Sequence, residues 1–346
     1  MIEFLKELIA AEGPLPIDRY MALCLGHRKF GYYMSRDPFG AAGDFTTAPE
    51  ISQIFGELIG IWCVAAWEAI GQPSPFILVE LGPGRGTLMA DLLRSTVRMD
   101  EFHAALQVHL VEMSPILLKL QREKLGDKVT WHEMIETLPQ QPMIFVANEF
   151  FDALPIRQVL KHAGQFYERC VAIEEGALAS RIKPMPAMPF DMDGLHELSP
   201  VSVAVATSLG ARLSALGGAG IVIDYGHLRT VVGETLQALK GHKMCGVFEY
   251  PGTSDLTAHV DFEALANAFS AGGAVALPPM TQGLFLRDMG IEQRLTTLSA
   301  KLQGRLRADF IAGGKRLIGE NEMGKLFKVL CVAQPKRQPI YPFEAT

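Results

Sequence analysis

The chain has 346 residues, of which 49% are hydrophobic and 20% are charged, so it can bury one large core or two modest ones and is not expected to be disordered. Its formal net charge of −6 and its pI near 5.9 argue against a nucleic-acid partner, which would need a basic face. Five scattered cysteines without C-x-x-C spacing predict neither a disulfide framework nor a metal site, and they fit a reducing compartment.

The first 70 residues are predicted to form helices and a ligand-covering loop ahead of the main domain at 71–346. Met1 to Ala11 places its apolar residues on one helical face, and Pro16 opens a second helix that ends near Gly26. These two helices are expected to pack as a lid. The start resembles neither a signal peptide nor an Arg-rich transit peptide, so the chain is expected to be cytoplasmic, or mature after import.

Gly31 to Glu50 is rich in glycine and proline and lacks regular periodicity, which predicts a long loop. Loops of this length often cover a ligand, and Thr46 is a candidate cofactor contact, although a plain surface loop remains the alternative. Glu50 to Ile70 follows as a predicted helix with core spacing. Its apolar middle, Leu58 to Trp67, is too short to span a bilayer, so no membrane insertion is expected.

Phe76 to Leu81 is an apolar run bounded by proline and glycine, which is typical of a strand buried in a parallel sheet. A glycine turn and an amphipathic helix, predicted over Thr87 to Met99, follow it. Strand, glycine turn and helix form the ligand-binding corner of a doubly wound α/β fold. A dinucleotide fingerprint would place its third glycine at position 87, where this chain has threonine.

The corner instead reads Glu80-x-Gly82-x-Gly84-x-Gly86, which resembles the first motif of class I S-adenosylmethionine (SAM) methyltransferases. A carboxylate there attracts the cationic groups of SAM and would repel a pyrophosphate. Glycines let the backbone approach a ligand closely, so Gly82, Pro83, Gly84 and Gly86 join Glu80 as candidate cofactor-binding residues. A tight turn with a purely structural role is the alternative.

The next two predicted strands supply the remaining cofactor candidates. Leu106 to Val111 ends in Glu112 and Met113, and an acid at this position reaches ribose hydroxyls, although Glu112 could also be a solvated acid before a helix. Val129 to His132 is a weaker strand. The three residues that follow it occupy the place where methyltransferases of this class hold the adenine, and a strand-end loop is the alternative; they are Glu133, Met134 and Ile135.

Met143 to Ala147 predicts a fourth strand, ending in N-E-F-F-D-A-L-P. Carboxyl ends of strands in open α/β sheets face the ligand crevice. Asn148, as a cofactor contact, and the acids Glu149 and Asp152 therefore form the leading site for chemistry. Asp152 could instead only cap the turn before Pro155.

The rest of the chain predicts one insertion and two further strand-end loops. Residues at about 156–200 read as antiparallel hairpin strands that turn at Ala163-Gly164 and Glu175-Gly176, followed by an irregular connection at 183–200. The fifth strand, Gly220 to Ile223, precedes Tyr225 and His227, and a loop at about 241–260 on the substrate side contains His259. These three side chains could orient the substrate or accept a proton, or they could be hydrogen-bonded structural residues.

Seven stretches in order resemble the MidA family of SAM-dependent methyltransferases, whose mitochondrial members are complex I assembly factors. They are G-D-F-T-T-A-P-E-I-S-Q-I-F-G-E, V-E-L-G-P-G-R-G-T-L, V-E-M-S-P, N-E-F-F-D-A-L-P, D-Y-G-H, P-G-T-S-D-L-T-A-H-V-D-F and T-Q-G-L-F-L. The resemblance implies a class I, Rossmann-like doubly wound sheet. It also implies SAM as cofactor and symmetric dimethylation of an arginine in a core subunit of complex I. For eukaryotic members it implies the mitochondrial matrix, and for a bacterial member the cytoplasm.

For arginine methylation, Glu149 is expected to be the principal clamp for the guanidinium and Asp152 its support, because carboxylates can hold that charge and accept a proton. The paired-glutamate hairpin of better-known arginine methyltransferases is not evident, since a second acid nine residues after Glu149 would fall at Gln158. Three alternatives stay open. They are a nucleotide-dependent oxidoreductase, a non-catalytic SAM-binding assembly factor, and a methyltransferase with another substrate such as a small molecule.

Overall fold

A computed structural model describes residues 1–38 and 43–344 of the chain. Its N-terminal elements are α1 (Ile2–Glu12), β1 (Leu15–Pro16), α2 (Ile17–Gly26), α3 (Tyr32–Ser35), α4 (Ala48–Ile51) and α5 (Gln53–Ala69). The loop predicted from Gly31 to Glu50 includes residues 39–42, which lie outside the described residues, and elsewhere α3 and the start of α4 make it less irregular than predicted. The helix predicted from Glu50 to Ile70 is divided at Ser52, whose hydroxyl accepts from the Ile54 N–H and caps α5.

The first half of the central sheet follows the predicted order of strands and helices. Its elements are β2 (Phe76–Leu81), α6 (Thr87–Ser95), α7 (Asp100–Ala105), β3 (Leu106–Val111), α8 (Pro115–Leu125), β4 (Val129–His132) and β5 (Met143–Asn148). Every residue of β2 and β5 is buried, which explains their unbroken apolar sequences. The helix predicted to reach Met99 ends at Ser95, four residues earlier.

An antiparallel sheet is inserted between β5 and the next central strand, as predicted. Its strands are β6 (Arg157–His162), β7 (Gln165–Glu174), β8 (Ala177–Pro184) and β9 (Gly194–Leu198). The predicted turns lie at the Ala163-Gly164 and Glu175-Gly176 pairs, where all four residues have positive φ, as two-residue hairpin turns require. The connection predicted to be irregular at 183–200 contains β9, which pairs with β6. That part of the prediction was wrong because the pairing partner is distant in sequence.

The chain then returns to the central sheet and adds a small second one. The elements are α9 (Pro200–Leu216), β10 (Gly218–His227), β11 (Gln237–Lys240), β12 (Lys243–Cys245), β13 (Asp255–Thr257) and β14 (Val260–Asp261). The fifth central strand, β10, is ten residues long and extends beyond the four that were predicted. The predicted loop at 241–260 contains two strands of a three-stranded sheet with the order β12-β11-β13.

The C-terminal part completes the central sheet. Its elements are α10 (Phe262–Ala271), β15 (Val275–Ala276), β16 (Met280–Thr281), α11 (Gln282–Asp288), α12 (Ile291–Ser299), α13 (Gly304–Ile318), α14 (Met323–Leu326) and β17 (Phe327–Ala333). The strand order is β15-β17-β10-β5-β2-β3-β4, with β17 antiparallel to β10 and with parallel pairing from β10 to β4. Apolar side chains cover both faces of this sheet. The order reverses beside β2, where a doubly wound sheet opens its ligand crevice.

A separate apolar core holds the N-terminal helices against the inserted sheet. Leu5 of α1 and Tyr20 of α2 belong to this core together with Val171 of β7 and Leu256 of β13. Helix α5 packs instead on the central sheet. The division of the chain at residue 70 stays a prediction. None of the helices in residues 1–38 and 43–344 combines the length and apolar character that crossing a bilayer requires.

Candidate active site at the carboxyl end of the central sheet

A cavity of about 590 Å³ opens where β2, β3, β5 and β10 end. The N-terminal segment and the three-stranded sheet supply its other walls, through residues such as Tyr33 and Asp255. Its volume lies within the range of small-molecule sites. The location follows from the topology, because the carboxyl ends of the parallel strands meet at this edge.

The glycine turn after β2 forms one wall of the cavity through Gly82, Pro83 and Gly84. Gly82, Gly84 and Gly86 have φ values of 63°, 53° and 73°, a region that residues with a Cβ rarely adopt. A Cβ on Gly82 would lie only 3.0 Å from the Phe150 ring, so the turn brings bare backbone to the cavity. Gly86 does not line the cavity; it begins α6 as its N-cap.

Two buried acids stand beside this turn. Burial raises the pKa of Glu80 to about 8, and the charge of Glu112 adds to the rise. One Glu80 carboxylate oxygen lacks a hydrogen-bond partner among the described residues. Burial raises the pKa of Glu112 to about 7, while its two oxygens accept from the Ser114 N–H at 2.7 Å and from Gln121 at 3.1 Å. Carboxylates held in this way can accept hydrogen bonds from ribose hydroxyls or bind a cationic group.

The other predicted cofactor contacts divide into two groups. Thr46, Met113 and Asn148 line the cavity, and the buried Asn148 side-chain oxygen has no partner among the described residues. The three residues after β4 are not part of the cavity wall. Glu133 and Met134 are exposed, and Ile135 packs in the apolar core beneath the sheet; their assignment to the adenine stays a prediction.

Glu149 lies at the point where β5 ends and has a φ of 51°, an unfavourable backbone conformation for a residue other than glycine. Its Oε1 accepts from the Ala48 N–H at 3.3 Å and from Asn148 Nδ2 at 3.2 Å. Burial in the cavity and, to a smaller extent, the charge of the neighbouring Asp152 raise its pKa to about 8. The strained backbone is compensated by contacts that direct this carboxyl into the cavity.

Asp152 is held by a carboxyl beneath it that sequence reasoning did not select. Asp224, in the second half of β10, is fully buried and accepts from the backbone N–H groups of Phe151 at 3.0 Å and Asp152 at 3.2 Å. Burial raises the pKa of Asp152 to about 6, and a hydrogen bond from Tyr225 opposes that rise. The strand-end rule that identified Tyr225 could have identified Asp224.

The two predicted histidines are placed differently. His259 lines the cavity, and its ring makes an edge-to-face contact with Tyr225 at 5.5 Å between centroids. Burial lowers the pKa of His259, as does the nearby His227, so His259 is neutral at pH 7. His227 does not line the cavity, and its Nδ1 hydrogen-bonds the Arg229 carbonyl at 2.7 Å. Its catalytic role stays a prediction that the geometry does not favour.

Several cavity residues escaped the sequence predictions because they do not directly follow a predicted strand. Among those the structure describes are Tyr33, Glu50, Arg85, Thr87, Asp255 and Thr257. Asp255 and Thr257 fall within the quoted P-G-T-S-D-L-T-A-H stretch, which was the only available signal. Arg85 pairs with Asp37 at 2.8 Å, which fastens the N-terminal segment to the glycine turn.

The cavity is strongly acidic. Of its described lining residues, six carry carboxyl groups and one, Arg85, is a permanent cation; the acids are Glu50, Glu80, Glu112, Glu149, Asp152 and Asp255. Burial raises the pKa of Asp255 to about 7, and the charge of Asp152 contributes. Such a cavity favours cationic ligands, because a bound positive charge stabilises the ionised form of each carboxyl.

These raised pKa values predict how the free protein responds to pH. Between pH 6.5 and 8 the unfolded carboxyls are ionised, whereas folded Glu80 and Glu149 (pKa about 8) and Glu112 and Asp255 (pKa about 7) still bind protons. The folded state therefore holds more protons, and the free energy of unfolding falls as pH rises through this window, on the order of 1 kcal/mol per group. The histidines whose pKa burial lowers, such as His109 and His259, affect the free energy of unfolding below this pH window.

Thermal melts at constant ionic strength between pH 6.5 and 8 measure this effect. Glu149→Gln should flatten the slope, because the variant lacks one of the four titrating carboxyls. A melting temperature that stays level or rises across the window in the wild-type protein would contradict the raised pKa values.

The cavity fits SAM on the observations of this structure. The glycine turn presents backbone without side chains to the cavity, and Glu80 and Asn148 each have a buried oxygen with no partner among the described residues. SAM would be held by the turn, by Glu112 at its ribose and by these acceptors, and its sulfonium would supply an electrophilic methyl group.

Comparison with known proteins agrees with this geometry. Residues 58–280 match a family described as S-adenosyl-L-methionine-dependent methyltransferase. The zebrafish "Protein arginine methyltransferase NDUFAF7, mitochondrial" is 35% identical, with 97% of this chain and 87% of that protein covered; the human protein is 34% identical, covering 97% and 84%. A Burkholderia thailandensis crystal structure with bound S-adenosyl-homocysteine (SAH) superposes with a TM-score of 0.84 at 32% identity, covering 96% and 91%.

Proposed function

The chain belongs to the S-adenosyl-L-methionine-dependent methyltransferase family, and from this premise we propose that it methylates an arginine side chain of a protein. The fold is the class I methyltransferase fold and the cofactor is SAM. The proposed substrate is a core subunit of respiratory complex I and the proposed product symmetric dimethylarginine. A bacterial member would act in the cytoplasm; the curated relatives are named as mitochondrial.

One observation carries the proposal: three carboxyls from two segments share the cavity with the glycine turn. Glu149 and Asp152 follow β5, and Asp255 begins β13. An arginine guanidinium stays charged at any physiological pH and presents five N–H donors in a plane. A cavity with several acceptors around one point suits this planar group with five donors better than it suits a neutral alcohol or an amine, each of which has a single polar end. The relatives' names support the same assignment.

The residues can meet the chemical demands of the transfer. A guanidinium nitrogen is a weak nucleophile because its lone pair is delocalised, so it must be held in line with the methyl group and its charge must be kept on the other nitrogens. We assign that clamp to Glu149, supported by Asp152 and the Tyr225 hydroxyl that hydrogen-bonds it. When the N–C bond forms and the S–C bond breaks, one N–H proton must leave. A carboxyl whose pKa is raised to about 8 is suited to accept it.

A labelling experiment tests the proposal. The protein is incubated with methyl-labelled SAM and the purified hydrophilic subunits of complex I, and mass spectrometry locates any added methyl group. We expect one or two labelled methyl groups on one arginine of one subunit. Label on another residue type would refute arginine transfer. No label on any subunit, with SAM bound, would favour the alternative of a non-catalytic SAM-binding assembly factor, and label only on small molecules the third alternative.

A further inference from the structure

The side chain of Asp255 lies at the junction of three parts of the fold. It begins β13, is 5% exposed and lines the cavity. Its Oδ1 accepts from the Tyr33 hydroxyl at 2.9 Å, so it is bonded to the segment after α2. No arginine or lysine forms an ion pair with it among the described residues. It is an acid buried beside a ligand cavity with a neutral partner.

Backbone and side-chain contacts bring Asp255 next to the acids that follow β5. The Ala258 N–H donates to the Asp152 carbonyl at 3.0 Å, which joins the end of β13 to the Asp152 loop. Thr257, two residues beyond Asp255 and therefore on the same face of the strand, hydrogen-bonds Tyr225, which also bonds Asp152. The charges of Asp152 and Asp255 raise the pKa of Glu149, so the three carboxyls that line the cavity interact with one another.

The paired-glutamate hairpin is not formed here. Gln158, which stands where its second acid would fall, is fully buried in the inserted sheet, where its Nε2 donates to Glu197 at 2.7 Å. It does not line the cavity. A guanidinium clamped by Glu149 would still present N–H groups away from that carboxylate and require a second acceptor.

We propose that Asp255 is the second carboxylate of the guanidinium clamp, a substrate-binding residue supplied by the three-stranded sheet opposite Glu149 and oriented by Tyr33. The assignment rests on the proposed arginine methylation. It makes the clamp a composite of two distant segments, in which the N-terminal segment shapes substrate recognition through the Tyr33 hydroxyl. An arginine side chain entering the cavity then lies between Glu149 and Asp255.

A merely structural role for Asp255 predicts something different. The neighbouring Tyr32 donates to Asp44 at 2.6 Å, so two adjacent tyrosines bond two buried acids. Asp44 also accepts from the Gly241 N–H but does not line the cavity. If Asp255 only fastened the N-terminal segment, its loss would resemble the loss of Asp44 or of the Tyr33 hydroxyl. This makes Asp44→Asn the matched control, while Tyr33→Phe measures the contribution of the orienting hydroxyl.

Calorimetry with butylguanidine, a mimic of the arginine side chain, separates these roles. The ligand is titrated into SAH-loaded wild-type, Asp255→Asn, Tyr33→Phe and Asp44→Asn proteins at pH 7.5, with neutral butylurea as the isosteric control. We expect Asp255→Asn to weaken butylguanidine about 10- to 100-fold, the usual cost of losing a charged hydrogen bond, and to reduce its preference over butylurea. Asp44→Asn should change the affinity less than about threefold, whereas Tyr33→Phe, which removes the hydroxyl that orients Asp255, should weaken it less than Asp255→Asn does. SAH affinity should stay unchanged in all four proteins.

The possible outcomes distinguish a failure of the clamp assignment from a failure of the proposed arginine methylation. Equal weakening by Asp255→Asn, Tyr33→Phe and Asp44→Asn would overturn the clamp assignment and leave a role in fastening the segment. Unchanged butylguanidine affinity in Asp255→Asn would overturn it as well, with arginine methylation intact. Failure of the wild-type protein to prefer butylguanidine over butylurea would overturn the proposed function itself.

Discussion

Replacing Glu149 by Gln is expected to slow methyl transfer about 1000-fold, to leave SAH affinity within about twofold, and to raise the melting temperature of the free protein at pH 8 by about 2 °C. The rate of methyl transfer falls because an amide can neither accept the departing proton nor balance the guanidinium charge. Both observed hydrogen bonds to Glu149 end on Oε1, so the amide oxygen of Gln can keep them. The stability rises because a carboxyl with a pKa near 8 is destabilising when ionised.

Glu57→Gln is the matched control, since it removes a buried carboxyl that has cationic partners. Glu57 is 3% exposed and bonds Arg94 at 3.1 Å and Arg294 at 2.7 Å, away from the cavity. The substitution should lower the melting temperature and spare transfer in the folded protein. Single-turnover rates, SAH calorimetry and thermal melts measure the transfer, the SAH affinity and the stability of both variants. Full activity in Glu149→Gln with SAH bound would refute the clamp.

Replacing Asp224 by Ala is expected to cost about 3 kcal/mol or more of unfolding free energy and to slow transfer at least about tenfold. The carboxylate accepts from three backbone N–H groups, those of Phe151, Asp152 and Tyr225, the last at 2.9 Å. Truncation leaves these buried donors without an acceptor. Removing a carboxyl whose pKa is raised by burial, and further by repulsion from Asp152 and Glu149, offsets only part of that cost. The loop that positions Asp152 then loses its anchor.

Asp261→Ala provides the comparison, because Asp261 also accepts a backbone N–H, that of Ala264 at 3.0 Å, at the N-terminus of α10. Loss of this cap should cost about 1 kcal/mol and leave transfer unchanged. Denaturant unfolding and transfer rates of both variants supply the measurement. Asp224→Asn should recover part of the loss, since its amide keeps one acceptor oxygen. If Asp224→Ala were no less stable than Asp261→Ala, the anchoring role would be wrong.

Strands β2 to β5 could be predicted from the sequence, because their apolar runs are short and bounded by turn residues. The bounds of β2, β3 and β4 agree with the predictions, and β5 is one residue longer. Elements formed by pairing between distant segments were missed. β9 depends on β6, and β11 to β13 depend on one another, so their local sequences carry little signal.

The same contrast explains the site. Glu80, Glu112 and Glu149 could be identified because each stands at or just beyond the end of a recognisable strand, and the strand-end rule places such residues at the crevice. Tyr33 and Asp255 could not, because their contact joins residues separated by more than 200 positions. The residue types alone do not show that two short elements so far apart in the sequence are in contact.

Proton release on cofactor binding tests most directly whether a bound positive charge lowers the pKa values of the cavity carboxyls. Calorimetry of SAM and SAH binding at pH 7, in two buffers of different ionisation enthalpy, counts the released protons. SAM differs from SAH by a methyl group and one positive charge. If that charge lowers the pKa of Glu149 from about 8 by about one unit, SAM should release about 0.4 proton more than SAH. Equal proton release by both ligands would contradict the electrostatic basis of the site.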